Sequence, residues 1–290
     1  MYKRVCIFAH YDKDNIVDPY VYYYLEELKK VIQKIIFVTV SDILKNDLDN
    51  LEKLDIVVIK RENIGYDFYS YKVGLERINL KSYDELLLCN DSTFGPIYPI
   101  VSLFDSMQNQ KCDFWGITSS LLISNHLQSY FLVFKKDILQ STVFNDFWSN
   151  LCILEDKDEI IKQYEVGLST ILYSKGYTGD SFIKYNIKKV GIIKNLYKNL
   201  YKKPYKIYKF IIYPKLYVKT IMDKRSNASI DFWDELLVKL KIPFIKKSLI
   251  TDKSMKKSNI IKLKNIFEDT VIETKYPFYL ITNYYDRHLQ

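Results

Sequence analysis

The apolar pattern alternates between short runs that suit strands and amphipathic stretches that suit helices. Arg4-Val5-Cys6-Ile7-Phe8-Ala9 predicts a first strand, closed by the polar cluster His10 to Asp14. Asp18-Pro19 then predicts a helix start, with Asp18 as cap and Pro19 in the first turn, where its missing N–H is not needed. The face of that helix reads Val21, Tyr24, Leu25, Leu28, Val31 and Ile32. Ile35 to Val40 and Asp55 to Ile59 predict a second and a third strand.

A polar turn, Arg61-Glu62-Asn63-Ile64-Gly65, leads into a predicted helix with apolar positions at Tyr66, Tyr69, Val73, Leu75 and Ile78. Glu85 to Cys89 suits a fourth strand buried on both faces, and it stops abruptly at Asn90-Asp91-Ser92 before a Gly95-Pro96 break. Alternation of this kind predicts an α/β fold with a mostly parallel sheet, right-handed crossovers and flanking helices. Further on, a helix after Pro99, a strand over Tyr130 to Phe134, an aromatic helix at Phe144 to Trp148 and a helix over Glu159 to Lys175 with Gly176 as cap are expected. A helix start at Asp231 to Leu237 and a docking loop at Lys241 to Lys247 complete the pattern.

Composition narrows the classes. At 290 residues, 48% of them hydrophobic, the chain can bury a large core and carry an appendage. No run approaches the roughly 20 apolar residues of a membrane span. The start Met1-Tyr2-Lys3-Arg4 leads to a strand, not to the apolar region of a signal peptide, so a cytoplasmic protein is expected. Cys6, Cys89, Cys112 and Cys152 are scattered without metal-type pairing. The eight glycines form neither a dinucleotide fingerprint nor a phosphate-binding loop, which argues against dehydrogenases and P-loop NTPases.

The net charge of +8 is unevenly spread, because between Lys184 and Arg225 there are 13 Lys or Arg against one acid, Asp223. Three domains follow: residues 1–182 as the catalytic unit, 183–225 as a basic Lys/Tyr-rich helical appendage, and 226–290 as a segment packing back on the first. The basic stretch suits an anionic membrane surface, with tyrosines at the interface, or a plain solvated face. Nucleic acid is not expected as a partner, since its readers carry charge on a folded platform with stacking residues.

Open α/β sheets bind ligands at the carboxyl ends of their strands, which singles out several side chains. Asp91 could hold Mg²⁺ or Mn²⁺ bridging a diphosphate, with Asn90 and Ser92 adding oxygens; the competing reading is a simple strand-end turn. His10, Tyr11 and Asp12 follow the first strand on the same edge. Gly65 suits close backbone approach beside Asn63, and Asp67 suits a ligand or merely the helix dipole. Glu165, flanked by residues that read as buried, suits a general base with a raised pKa, or else a solvated acid on an amphipathic helix. His126 and Gln128 offer hydrogen bonds just before a strand.

These pieces resemble the rhamnan synthesis protein F family of bacterial cell-wall and O-antigen polysaccharide biosynthesis. The resemblance rests on FAHYD (Phe8 to Asp12), RENIGYDFYSYKVGL (Arg61 to Leu75), LLLCNDSTFGPIYP (Leu86 to Pro99), DFWGIT (Asp113 to Thr118), HLQSYFLVFKK (His126 to Lys136) and YEVGLS (Tyr164 to Ser169), with IPFIKKSLI (Ile242 to Ile250) as a weaker match. The family is similar to GT-A-type glycosyltransferases, which implies a sugar, rhamnose or a related deoxyhexose, moved from a UDP-, TDP- or GDP-linked donor to a lipid-linked glycan at the inner membrane face. By that similarity Asn90-Asp91-Ser92 stands at the Asp-x-Asp metal motif with one carboxylate instead of two, which implies either a weaker metal site or metal-independent binding. The resemblance further implies Asp91 and Glu165 as catalytic residues. His10, Tyr11, Asp12, Asn63, Gly65, Asp67, Asn90 and Ser92 would lie on the nucleotide-sugar side, and Trp115, His126 and Gln128 on the sugar or acceptor side. The alternative is a catalytically silent glycan- or lipid-binding assembly factor of the same fold.

Overall fold

A strand that is apolar along its whole length must be covered on both faces, and β1 (Arg4–His10) and β4 (Glu85–Asn90) are buried at every residue. The computed structural model describes residues 2–120, 123–184, 228–252, 256–269 and 271–288. After β1 come α1 (Pro19–Lys29), β2 (Lys34–Thr39), α2 (Lys45–Lys53), β3 (Ile56–Lys60), α3 (Tyr66–Leu75) and β4. Then follow β5 (Thr93–Phe94), α4 (Ile100–Gln108), β6 (Phe114–Gly116), β7 (Ser119–Ser120), β8 (His126–Leu127), β9 (Phe131–Lys135), α5 (Lys136–Leu139) and α6 (Thr142–Ser149). A short α7 (Lys157–Ile160) continues through a π-helical stretch, Ile161–Val166, into α8 (Gly167–Ser174), and β10 (Gly179–Ser181) ends the first part. The later part holds helices Trp233–Lys239, Lys256–Glu268 and Tyr279–Arg287 and a short strand, β11 (Ile245–Lys246). Apart from Lys184 itself, the basic stretch expected to meet a membrane lies outside the described residues.

Seven strands form the central sheet in the order β10-β6-β9-β4-β1-β2-β3. Every pair is parallel except those made by β9, which runs antiparallel to both β4 and β6. The mostly parallel α/β sheet expected from the sequence is therefore present. The period of two along β1 sends Cys6 and Phe8 to one face and Val5, Ile7 and Ala9 to the other. On the first face the core is completed by α1, α4 and the C-terminal helices, with Phe232, Leu236 and Ile281 buried among them. On the second it is completed by α3, α6 and α8, through Phe68, Trp148 and Leu168.

Two elements differ from the pattern reading. The buried face of α3 is Phe68, Ser70, Tyr71, Gly74 and Leu75, while Tyr66 is 49% exposed. Small residues decide this: a Cβ on Gly74 would stand 2.5 Å from the Ile7 side chain, so the helix lies close on β1. The second is α2, which the pattern reading passes over: its leucines recur at helical spacing, yet Leu51 alone of its residues is buried and Leu48 is exposed.

The register carries the functional consequence. His10 is paired with Thr39, and Ala9 with Asn90, so the carboxyl ends of β1, β2 and β4 stand side by side. Asp91 continues β4 and donates its N–H to Ala9 O at 3.3 Å.

Candidate active site

Asn90 has a defined task at the end of β4. Its Nδ2 donates to Asp67 Oδ2 at 2.6 Å, and its Oδ1 accepts from Ser92 N at 3.1 Å and Ser92 Oγ at 2.5 Å. An aspartate at position 90 would bring a second carboxylate against Asp67, so the amide is what this geometry requires. Asp67 reaches this point from the first turn of α3. Its pKa is raised to about 6, by burial first and by the charge of Asp91 second.

The Asp91 carboxylate faces a lysine. Lys247 Nζ lies 2.9 Å from Asp91 Oδ2 and donates to Tyr20 Oη at 2.8 Å, while Tyr20 Oη donates to Asp91 O at 2.8 Å. Burial pulls the Lys247 pKa down, but Asp91 outweighs it together with further interactions, so the net shift is upward. Magnesium and manganese bind through carboxylate oxygens and keep several waters. Here the carboxylate at the motif position is already matched by an ammonium, and among the described residues no group of three or more His, Cys, Asp or Glu could hold a metal ion. This set of side chains does not fit a divalent cation.

Beside this pair opens a cleft of about 450 Å³ whose lining includes Asp67, Asn90, Ser92, Gln128, Glu165, Lys246 and Lys247. A larger hollow of about 1180 Å³, between α1 and the C-terminal helices, contains none of the expected site residues. Glu165 enters the cleft from the π-helical stretch, where the widened turn re-aims a side chain. Its Oε2 accepts from Ser129 N at 3.0 Å and from Ser129 Oγ, and its Oε1 lies 3.3 Å from His126 Nε2. His126 Nδ1 lies 2.8 Å from Ser124 O, which accepts but cannot donate, so Nδ1 carries a proton and Nε2 bonds Glu165 as an imidazolium.

These partners reverse one expectation. Burial alone would raise the Glu165 pKa, but the hydrogen bonds from His126 and Ser129 and the charge of Lys246 outweigh it, and the pKa is lowered. Burial likewise pulls His126 down, and the bond and charge of Glu165 together with the bond to Ser124 outweigh it, so His126 is raised. Glu165 is a firmly ionised carboxylate rather than a poised acid. His126 is 2% exposed and stands behind Glu165, so it orients that residue and does not line the cleft. Gln128 does line it, with Oε1 accepting from Thr118 Oγ1 at 2.6 Å.

The remaining expected residues are dispersed. Trp115 is 1% exposed in the core, its ring 5.4 Å from Phe104 and 5.7 Å from Phe131, so it cannot meet a sugar in the cleft. Asp12 is bound to Arg287, whose Nη2 lies 2.6 Å from Asp12 Oδ2 and 2.8 Å from Asp18 Oδ2 and whose Nη1 lies 2.7 Å from Asp14 Oδ2. Burial pushes Asp12 up, and the bond and charge of Arg287 together with the Asp14 N–H outweigh it, so its pKa is lowered. This clasp ties the C-terminal helix to β1 and α1. His10 is buried with Nδ1 2.9 Å from Thr39 Oγ1, and burial lowers its pKa; Tyr11 is half exposed. Asn63 is exposed on a turn that Arg61 holds through the carbonyls of Glu62, Ile64 and Tyr66. Gly65 serves its own helix: its φ is +68°, and a Cβ there would stand 2.7 Å from Tyr69 Cβ.

Lys246, Lys247, Ser129 and Arg287 are the site and clasp residues that the pattern reading passes over. Only the pair Lys246-Lys247 carried a signal, as two cations inside an otherwise apolar loop.

Comparison with known proteins adds to this geometry. The family described as rhamnan synthesis protein F matches residues 35–232. Virulence protein VirA of Vibrio anguillarum is 29% identical over 261 residues, which cover 86% of this chain and 80% of that protein. The uncharacterized protein y4gN of Sinorhizobium fredii is 28% identical over 159 residues, 53% of this chain and 42% of that one. Among solved structures, S. aureus TarS 1–349 is similar at 13% identity and a TM-score of 0.41, over 62% of this chain and 60% of that one.

Proposed function

The chain belongs to the rhamnan synthesis protein F family, and from that premise we propose that it is a glycosyltransferase. It takes a sugar, with rhamnose or a related deoxyhexose favoured, from a nucleotide-diphospho-sugar and adds it to a lipid-linked surface polysaccharide. The observation that carries this reading is Glu165: an ionised carboxylate inside a cleft at the carboxyl ends of the parallel strands, held by Ser129 and His126.

Transfer needs an acceptor hydroxyl to attack the anomeric carbon while the bond to the diphosphate breaks. Glu165 receives the hydroxyl proton as the new bond forms, a contribution of roughly 10²- to 10⁴-fold in rate. Oε2 is occupied by two Ser129 donors, so Oε1, beside His126, is the oxygen that takes the proton. His126 keeps the carboxylate aimed and ionised. Asp67, Asn90, Ser92 and Gln128 supply hydrogen-bonding groups along the same cleft. No step passes through a metal, because the side chains at Asp91 do not fit one.

Thermal denaturation with UDP, TDP and GDP tests the reading. A nucleotide at a hundred times its Kd stabilises by about 2.7 kcal/mol, a shift of several degrees. One of the three is expected to do so; no shift with any of them would sink the transferase.

A further inference from the structure

Two adjacent cations, Lys246 and Lys247, are fixed at the site by the core and not by a surface loop. Their strand β11 pairs antiparallel with β5, Ile245 opposite Phe94 and Lys246 opposite Thr93, and Lys247 N donates to Ser92 O at 2.9 Å. Phe244 anchors the strand, 3% exposed, its ring 5.3 Å from Phe131 and 5.0 Å from Tyr24. Lysines distant in sequence are thus pinned to the residues that directly follow Asp91.

Their N–H donors are incompletely used. An ammonium has three N–H donors. Lys247 spends two on Asp91 and Tyr20 and stands 5.3 Å from the Tyr284 ring centre, and among the described residues no oxygen or nitrogen takes the third. Lys246 Nζ sits 4.6 Å from the Tyr130 ring centre, and among the described residues no carboxylate lies within ion-pair distance of it. A cation–π contact offsets only part of what withdrawing an ammonium from water costs. Both lysines face the cleft, with Lys157 beside them. An anion placed between them would complete their coordination.

We infer that Lys246 and Lys247 form a diphosphate-binding site that works without a divalent cation, Lys247 taking the role a metal ion would have at Asp91. The inference rests on the transferase reading. In the balanced step the acceptor oxygen bonds to the anomeric carbon and the bond from that carbon to the diphosphate oxygen breaks. The electron pair stays on the diphosphate beside Lys247, and the acceptor proton goes to Glu165. Asp91 is then a positioning residue that holds the ammonium in place through the 2.9 Å ion pair.

Calorimetric titration in EDTA with sodium pyrophosphate, and with UDP, TDP and GDP, tests the site. Pyrophosphate and one nucleotide are expected to bind, and added Mn²⁺ to leave both affinities unchanged. Lys247→Met should weaken binding about tenfold or more, as loss of a hydrogen bond to a charged group does. The double variant Lys247→Met with Asp91→Asn leaves no unpaired charge to compromise folding and should lose binding equally. Asp91→Asn alone keeps the ammonium and an oxygen for it to bond, so pyrophosphate binding in EDTA should weaken less than in Lys247→Met. Binding that requires Mn²⁺ or Mg²⁺ and disappears in Asp91→Asn would overturn the inference and leave the transferase standing. Pyrophosphate binding through Lys247 with no nucleotide bound, with or without metal, would uphold the anion site and overturn the transferase. Binding of neither, or wild-type affinity in the double variant, would overturn the inference.

Discussion

Replacing Glu165 with Gln separates chemistry from structure, because the amide fills the same space. The glutamine oxygen can still accept from Ser129 N and Oγ, and its NH₂ can donate to a His126 that has lost its extra proton. What disappears is charge. Hydrogen bonds to a charged group contribute about 1.5–3 kcal/mol and neutral ones about 0.5–1.5, so the expected loss of stability is about 1–2 kcal/mol. At about 2–4 °C per kcal/mol for a chain of this size class, Tm should fall by about 2–8 °C. That is a fraction of the 5–15 kcal/mol by which domains are ordinarily stable, so the variant stays folded at 25 °C. The rate should fall by about 10²- to 10⁴-fold, the contribution of a general base. Thermal denaturation followed by release of nucleoside diphosphate from the cognate donor reads both. A rate within threefold of wild type, or a loss of cooperative unfolding, would show that Glu165 is a structural acid and refute the argument.

Two further outcomes follow from named contacts and a third from the charge of the basic stretch. The His126 pKa is raised above its ordinary 6.5, so the stability it gives through Glu165 is full below 6.5 and lost as pH rises through the folded value. Glu165 is lowered from 4.5, so its share is present above 4.5 and lost as pH falls through its folded value. Tm against pH should therefore decline above 6.5 in the wild type, and this decline should vanish in His126→Gln; an unchanged slope would contradict the imidazolium. Arg287→Ala strands Asp12 and Asp18, whose side chains are 7% and 6% exposed, and should cost about 3 kcal/mol, partly recovered by adding Asp12→Asn. Melting curves of the two variants check it, and a drop under 2 °C for Arg287→Ala would place the clasp among weak surface pairs. Between Lys184 and Arg225, reversing four lysines should remove about 1 kcal/mol of membrane attraction per charge and release the protein from anionic liposomes in sedimentation. Turnover of a soluble acceptor should be unchanged; continued sedimentation would leave the basic stretch as plain surface.

The sheet and the polar stop at its carboxyl edge were legible because they depend on local signals: apolar runs of strand length and the abrupt end at Asn90-Asp91-Ser92. The chemistry of that edge was not, because its partners lie far along the chain. Lys247 is 156 residues from Asp91, and Ser129 is 36 residues from Glu165. Burial of Glu165 could be guessed from its neighbours, but the sign of its pKa shift depends on hydrogen bonds that only the tertiary fold supplies. Trp115 was misplaced for a related reason: an aromatic within a short strand looks the same whether its ring enters the core or a cleft. The face of α3 was misjudged because counting large apolar residues overlooks Ser70 and Gly74, the small ones that let two backbones approach.

The central claim is transfer from a nucleotide sugar with Glu165 as base. Its most direct measurement is release of nucleoside diphosphate from a panel of UDP-, TDP- and GDP-sugars in the presence of a bacterial membrane lipid extract, with the Glu165→Gln protein as background. One donor should be consumed by the wild type at least a hundredfold faster than by the variant, with its sugar recovered in the lipid fraction. Equal rates for the two proteins across the whole panel would contradict the account.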